Sequence, residues 1–267
     1  MNLLNLINLL NLMNPFMPFF LNSQKLMDNN KYMRPTLFLI PVPIAETSHD
    51  KVLPVEIKRI LKDLKYFVVE NPKTAIKFLR KTGLDPDIDN MSFFTLDEHT
   101  PLEEISGFLT PLQNGNNMGL LSEAGMPALA DPGADLVALV HNAGFQVVPL
   151  TGPSSITLAL IASGLNGQNF AFNGYLPVKK DARINSIKKL EEKLYREKQT
   201  QIFMETPYRN MSLLSDLLAF CRPATRLCIA ADITGVNEFI VTRSIGAWKK
   251  NIPDINKKPA VFIIGMP

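Results

Sequence analysis

Two turns rich in glycine and proline stand out as places where this chain could hold a ligand. The first, SEAGMPALADPG, covers residues 122–133, and the second, TGPSS, covers residues 151–155. Glycine lets a backbone approach a ligand closely and adopt positive φ angles. Ser154 and Ser155 precede an apolar segment with helical spacing, and the free N–H groups of a helix start favour a carboxylate or a phosphate. The pattern predicts a small-molecule cofactor site, and tight turns without a ligand are the alternative.

The elements around these turns indicate where they lie in the fold. An apolar run, residues 118–121, leads into the first turn, and another, residues 146–150, leads into the second. A helical pattern follows each turn. Because successive strand-turn-helix units are typical of a parallel α/β sheet, we expect both turns at the carboxyl ends of strands, where such sheets bind ligands.

The remaining pattern predicts two α/β domains. Asn71-Pro72 and Asp131-Pro132 each combine a helix cap with a proline at the helix start. The sequence pattern changes after Gly164, which indicates a junction between two domains near residues 151–168. We predict an N-terminal domain over residues 33–152 and a C-terminal domain over residues 153–267. The predicted strands are 36–40, 66–70, 93–96, 118–121 and 146–150, then 170–176, 201–205, 227–231, 238–243 and 260–264.

Composition limits the possible classes. The chain has 267 residues, 46% hydrophobic and 20% charged, with a net charge of +3. This is enough apolar material for a large core, and the mild basicity permits an anionic partner. Two cysteines and three separated histidines favour neither a disulfide framework nor a metal site, so a reducing cytoplasm is the default. The motifs of dinucleotide-binding folds, P-loop enzymes and serine hydrolases are absent from the sequence.

Residues 1–32 do not conform to the rest of the chain. Residues 1–22 carry no charge and have asparagine at positions 2, 5, 8, 11 and 14. They lack the basic start of a secretory signal, and five asparagines are unusual in a membrane-spanning helix. We interpret the segment as a leader without a function, or as an over-extended start with the protein beginning near Met27 or Met33. A membrane-surface anchor is the alternative.

Four motifs taken in order, SEAGMPALADPG, VVPLTGPSS, ASGL and ETPYRN, resemble the tetrapyrrole methylase superfamily of S-adenosylmethionine-dependent methyltransferases. The chain is most similar to the branch that methylates a cytidine ribose 2′-hydroxyl in small-subunit ribosomal RNA, and the resemblance covers about residues 35–265. It implies a mostly parallel N-terminal sheet, a mixed C-terminal sheet, a homodimer, and S-adenosylmethionine in the cleft between the domains.

The resemblance also implies which positions contact S-adenosylmethionine. They come from both domains: Pro43, Ala124, Gly125, Met126, Leu129, Ser154, Ser155, Met204, Ala231, Pro259 and Ala260. Small residues and backbone groups would admit the adenosyl group, while Met204 and Leu129 would give it apolar walls. Plain core packing is the alternative for these two side chains.

The chain departs from the ribose-methylase pattern mainly on the substrate side. Ala45 stands where the family has a glycine, VENPKT replaces A-E-D-T-R, His99-Thr100-Pro101 replaces H-N-E, and ETPYR replaces E-S-P-H-R. The acceptor therefore stays open between ribosomal RNA and a small molecule such as a tetrapyrrole. A non-catalytic cofactor-binding protein is a third possibility, and Ala45 is its main support.

A ribose hydroxyl needs a proton acceptor during methyl transfer. The candidates are Glu205, Asp131, Glu123 and His99, and we favour Glu205 because it ends a predicted strand just after Met204. Its alternative role is to cap the next helix or to pair with Arg209. Residues 178–198 carry eight basic and four acidic side chains, a local charge of +4. This excess suits RNA phosphates, and a solvated helix face is the alternative.

Overall fold

The computed structural model describes residues 34–46, 49–82 and 88–267, which form two five-stranded sheets covered by helices. The first sheet has the order β3-β2-β4-β1-β5, and all its strand pairs are parallel. Its strands are β1 (Thr36–Ile40), β2 (Tyr66–Val69), β3 (Ser92–Thr95), β4 (Met118–Leu121) and β5 (Gln146–Pro149). The parallel first sheet is thus confirmed.

Proline shapes the helices of this first half. The apolar spacing predicts one helix over residues 52–64, but Pro54 divides it because proline cannot donate within a helix. Similarly, the helix predicted over residues 102–109 ends early and a second one follows. The helices are α1 (His49–Val52), α2 (Val55–Asp63), α3 (Pro72–Lys81), α4 (Leu102–Gly107), α5 (Thr110–Gln113) and α6 (Ala134–Asn142), with a 3-10 turn at Ile88–Asn90.

The two predicted helix starts have different outcomes. Asn71 caps α3 as predicted, since its side-chain oxygen accepts a hydrogen bond from Lys73 N at 2.9 Å. The prediction for Asp131 is wrong, because Gly133 occupies the cap position of α6 and no side chain caps that helix. The Asp131 carboxylate is therefore left for other contacts.

The second sheet is mixed, as expected. Its order is β6-β7-β10-β8-β9, in which β6 and β7 are parallel and the other neighbours are antiparallel. The strands are β6 (Phe170–Tyr175), β7 (Thr200–Glu205), β8 (Arg226–Ala231), β9 (Phe239–Ser244) and β10 (Ala260–Gly265), and the helices are α7 (Ser155–Ser163), α8 (Lys180–Glu197), α9 (Asn210–Phe220) and α10 (Ile245–Trp248).

The helix α7 connects the two sheets. It follows β5 of the first sheet, yet Ile156, Ala159 and Leu160 pack in a core cluster with strands of the second sheet. The opposite face of that sheet is covered by α8, α9 and α10. This arrangement brings the TGPSS turn, which precedes α7, to the boundary between the sheets.

Some predictions fall on residues outside the described ranges. The leader, residues 1–32, lies there, and so does Gly83, the predicted end of α3. Within the described part of the chain, no helix is both long and apolar enough to cross a membrane.

Candidate active site

Three turns meet at the carboxyl edge of the first sheet. The turn after β1 joins the SEAGMP turn through two backbone hydrogen bonds: Val42 N donates to Gly125 O at 2.8 Å, and Gly125 N donates to Val42 O at 3.1 Å. Gly125 has φ +80°, and a Cβ there would lie 3.2 Å from Ile44 Cγ2. A Cβ on Gly152 would lie 2.2 Å from Pro41 Cγ. Both glycines are therefore required by the packing of the turns on one another.

Two neighbouring chambers lie between these turns and the second sheet. The large chamber has a volume of about 510 Å³, and the small chamber has about 130 Å³. Both are lined by Ile44, Asp232 and Pro259, which mark their junction. The large chamber is also lined by Val42, Pro43, Ala45, Glu46, Thr74, Ala75, Lys77, Phe78, Lys81, Leu121, Ser122, Glu123 and Ala124. The small chamber is also lined by Ser155, Tyr175, Met204, Glu205, Pro207, Ala230, Ile233, Ala260 and Val261.

The register of the second sheet builds the small chamber. Val261 on β10 pairs with Met204 on β7 and with Ala230 on β8, and all three line the chamber. Because side chains alternate between the two faces of a strand, the next residue, Ala231, belongs to the core cluster on the opposite face. Ala230 therefore lines the small chamber, and the expected cofactor contact Ala231 lies on the other face of the sheet.

Six of the eleven expected cofactor positions line a chamber. They are Pro43 and Ala124 in the large chamber, Ser155, Met204 and Ala260 in the small one, and Pro259 at the junction. The other five line neither chamber: Gly125, Met126, Leu129, Ser154 and Ala231. Leu129 is exposed, whereas Ser154 is buried at the cap position of α7.

The Glu205 carboxylate has one occupied and one unoccupied oxygen. Oε1 accepts a hydrogen bond from Thr206 N at 2.7 Å and one from Arg209 Nε at 2.9 Å. The pairing with Arg209 that the sequence suggested as an alternative is therefore present. Oε2 has no hydrogen-bond partner among the described residues, and water does not reach it because Glu205 is only 3% exposed. An unsatisfied buried oxygen is costly, so a donor from a ligand in the small chamber would stabilise it.

A second group of carboxylates lies near the large chamber. Glu70 follows β2, and its Oε1 accepts a hydrogen bond from Glu123 N at 3.3 Å. Burial, followed by the negative charge of Asp131, raises the pKa of Glu70 to about 7. Burial and the charge of Glu123 raise the pKa of Asp131 to about 6. These pKa values lie close to neutrality, the range in which a carboxylate can exchange a proton with a substrate.

Tyr175 lies within electrostatic reach of both groups of carboxylates. It ends β6 and lines the small chamber. Burial raises the pKa of Tyr175, and the charges of Asp131 and Glu205 raise it further. Asp131 from the first half and Glu205 from the second therefore act on the same side chain. His99, the remaining candidate base, lines neither chamber and is mostly exposed, in a turn where its N–H donates to Asp97 Oδ1 at 2.8 Å.

The sequence interpretation missed two sets of chamber residues. Asp232, at the junction, has φ 50°, and its Oδ2 accepts a hydrogen bond from Asn237 N at 3.0 Å. No sequence pattern pointed to it. The second set lies on one face of α3, at the spacing i, i+3, i+4 and i+7, and consists of Thr74, Lys77, Phe78 and Lys81. The capped start at Asn71 could have predicted this face.

Comparison with known proteins agrees with this architecture. The family model described as Tetrapyrrole (Corrin/Porphyrin) Methylases matches residues 52–247. Among solved structures, the methyltransferase CobJ superposes with a TM-score of 0.58 at 16% sequence identity. The superposition covers 87% of this chain and 94% of CobJ. At this identity the likeness concerns the fold alone.

Curated relatives match over most of the chain. Ribosomal RNA small subunit methyltransferase I of Escherichia coli O157:H7 is 30% identical over 231 residues, which are 85% of this chain and 77% of that protein. The Pseudomonas aeruginosa protein of the same name is 30% identical over 205 residues, which are 77% of this chain and 68% of that protein. The chain therefore belongs to the tetrapyrrole methylase family, and it is a methyltransferase.

Proposed function

We propose that this chain transfers a methyl group from S-adenosylmethionine to a ribose 2′-hydroxyl in small-subunit ribosomal RNA. The observation that carries the proposal is the cleft with two chambers, in which six of the expected cofactor positions from both halves of the chain converge. The relatives named as ribosomal RNA small subunit methyltransferases support the choice of acceptor.

The residues of the cleft fit S-adenosylmethionine. Met204, Ile233 and Val261 give the small chamber apolar walls suited to an adenine ring. Ser155 lies in the first turn of α7, and no side chain caps that helix, so its N–H groups are suited to a carboxylate. A small-molecule site usually measures about 300 Å³ or more, so the cofactor would extend from the small chamber across the junction into the large one.

The chain's part in the reaction is to align the groups, exclude water and accept a proton. S-adenosylmethionine supplies a methyl group on a positively charged sulfur, which is already activated. The chain's own groups would hold the ribose oxygen in line with that methyl group, and as the oxygen takes the methyl group from sulfur a carboxylate would take the hydroxyl proton. We assign this proton to Glu205 Oε2, the oxygen without a partner among the described residues. The pair Glu70 and Asp131 is the competing acceptor.

The basic segment over residues 178–198 contributes less to this proposal than its charge suggests. Arg183 is buried and paired with Asp216 at 2.6 Å, and Arg196 is paired with Glu197 at 2.7 Å. Two of its eight cations are therefore neutralised by neighbours. The other six do not line either chamber, which favours a solvated helix face.

Methylation of a small molecule such as a tetrapyrrole is the second candidate. The matching family model, described as Tetrapyrrole (Corrin/Porphyrin) Methylases, favours keeping it, whereas the curated relatives favour RNA. A non-catalytic role is the third candidate, since Ala45, in place of the family's glycine, lines the large chamber.

We further propose that the protein is a homodimer and that it works in the cytoplasm. Light scattering of the purified protein tests whether it is a dimer.

Transfer of a radiolabelled methyl group tests the proposed function. Purified protein is incubated with labelled S-adenosylmethionine and with small or large ribosomal subunits from a strain that lacks the protein, or with a small-molecule extract. We expect label in the RNA of the small subunit, at a linkage that resists alkali because its 2′-oxygen is blocked. Label in the extract would support the second candidate, and cofactor binding without any transfer would support the third.

A further inference from the structure

We propose that one face of α3 binds the RNA strand that carries the acceptor ribose. The inference rests on the proposed function and names the surface that selects the substrate. Thr74, Lys77, Phe78 and Lys81 lie on this face and line the large chamber. Over residues 72–81 the helix carries four cations and no carboxylate: Lys73, Lys77, Arg80 and Lys81.

The α3 cations are available for a ligand. Lys77 and Lys81 are exposed, and neither forms an ion pair with another described residue. The helix α8 carries more cations, but Arg183 is buried against Asp216 and Lys188 lies over the ring of Phe220. Because phosphate binding requires cations that can be brought to the strand, α3 is the better surface despite its shorter length.

The rest of the large chamber carries the opposite charge. Glu46, Glu123 and Asp232 also line it, and Glu123 Oε1 accepts a hydrogen bond at 3.3 Å from Thr74 Oγ1 on the α3 face. A bound strand would therefore place its phosphates on α3 and turn its sugar edge toward the carboxylates and the junction. Phe78, between the two lysines, offers an apolar surface for a base. Since the lysines line a concave cavity, a flat membrane surface fits them less well than an RNA strand.

A matched pair of variants tests this inference. Lys77→Gln with Lys81→Gln removes two charges from α3. Lys189→Gln with Lys198→Gln removes one exposed charge from the middle of α8 and one from the residue that follows it. Binding of a labelled single-stranded RNA oligonucleotide and of small ribosomal subunits is measured at several salt concentrations. We expect the α3 variant to bind RNA about tenfold more weakly, with the slope of log K against log salt reduced by about 1.4. The α8 variant should bind within about twofold of wild type.

Three readouts keep the outcomes separate. Circular dichroism and thermal unfolding should be the same in both variants as in the wild type, which shows that the substitutions leave the fold intact. Equal losses in both variants, or no loss in the α3 variant, would overturn the inference. A selective loss of binding to anionic lipid vesicles, with RNA binding unchanged, would overturn it in favour of a membrane. Methyl transfer by the wild type is scored independently, so its absence would refute the proposed function without affecting the comparison of RNA binding.

Discussion

The two chambers of the cleft are built in different ways. Strand register forms much of the small chamber, where Met204, Ala230 and Val261 stand side by side on three paired strands. Long side chains from α3 and from the turns line the large chamber, and Lys77 and Lys81 are exposed there. The first arrangement is a consequence of the fold and suits a cofactor shared by many relatives. The second depends on individual side chains and suits an acceptor that differs between them.

Removal of the proton acceptor should have the largest effect. Glu205→Gln keeps the size of the side chain but removes its charge, and we expect turnover to fall by about 10²–10⁴-fold. Affinity for S-adenosylmethionine, measured by calorimetry, should change much less. Glu70→Gln is the matched control from the other group of carboxylates and should retain most of the turnover.

The opposite result would assign the proton acceptor to the carboxylates near the large chamber. If Glu205→Gln turns over normally while Glu70→Gln or Asp131→Asn does not, the pair of carboxylates near Glu123 is the acceptor. The rate should then increase with pH between about 6 and 7, because only the deprotonated carboxylate accepts a proton and these are the pKa values of Asp131 and Glu70. Glu70→Gln should change this pH profile.

The junction of the turns should be the next most sensitive feature. At Gly125, with φ +80°, a side chain would meet Ile44 Cγ2 at 3.2 Å, so Gly125→Val should weaken cofactor binding about a hundredfold, or about 2.7 kcal/mol. Gly144→Val is the control, because Gly144 has φ +76° but no atom within 4 Å of its Cβ position. Equal affinities in the two variants would show that backbone strain, and not the site, explains any loss.

A substitution in the packing contact between the turns should change the free energy of unfolding more than the affinity for the cofactor. A Cβ on Gly152 would lie 2.2 Å from Pro41 Cγ, so we expect Gly152→Ala to destabilise the protein by about 1–3 kcal/mol. At Gly107 a Cβ meets nothing within 4 Å, and Gly107→Ala should be neutral or stabilising. Denaturant titrations of both variants give the comparison, and a neutral Gly152→Ala would mean that the turns can separate without cost.

The smallest effect concerns the pH dependence of stability. The pKa of Glu70 is raised to about 7 in the folded protein, from its usual 4.5, so its contribution to stability is lost as pH rises from about 4.5 to 7. Glu70→Gln should therefore stabilise the protein at pH 8, by about 1 kcal/mol after solvent screening, and not at pH 4. Thermal unfolding at both pH values measures it, and equal shifts at both would contradict the assigned pKa.

The sequence predicts most of the framework and six of the positions that line the cleft. Apolar runs located the strands, and the motifs around Ser155, Met204 and Pro259 located chamber-lining positions. The Asp-Pro pattern predicts a helix cap at Asp131, but Gly133 takes that position, and the Asp131 side chain is hydrogen-bonded to Ser122. Strand-face alternation explains why Ala230 lines the small chamber and Ala231 packs on the other face. Asp232 depends on a local backbone conformation and on contacts distant in sequence, which no local pattern encodes.

A crystal structure with S-adenosylhomocysteine tests the central claim most directly. If the cleft is divided as described, the ligand will cross the junction of Ile44, Asp232 and Pro259. Its adenosyl group will contact Met204, and most of the α3 side of the large chamber will remain free. A ligand that fills the large chamber against Lys77, or that binds outside the cleft, would contradict the division into a donor side and an acceptor side.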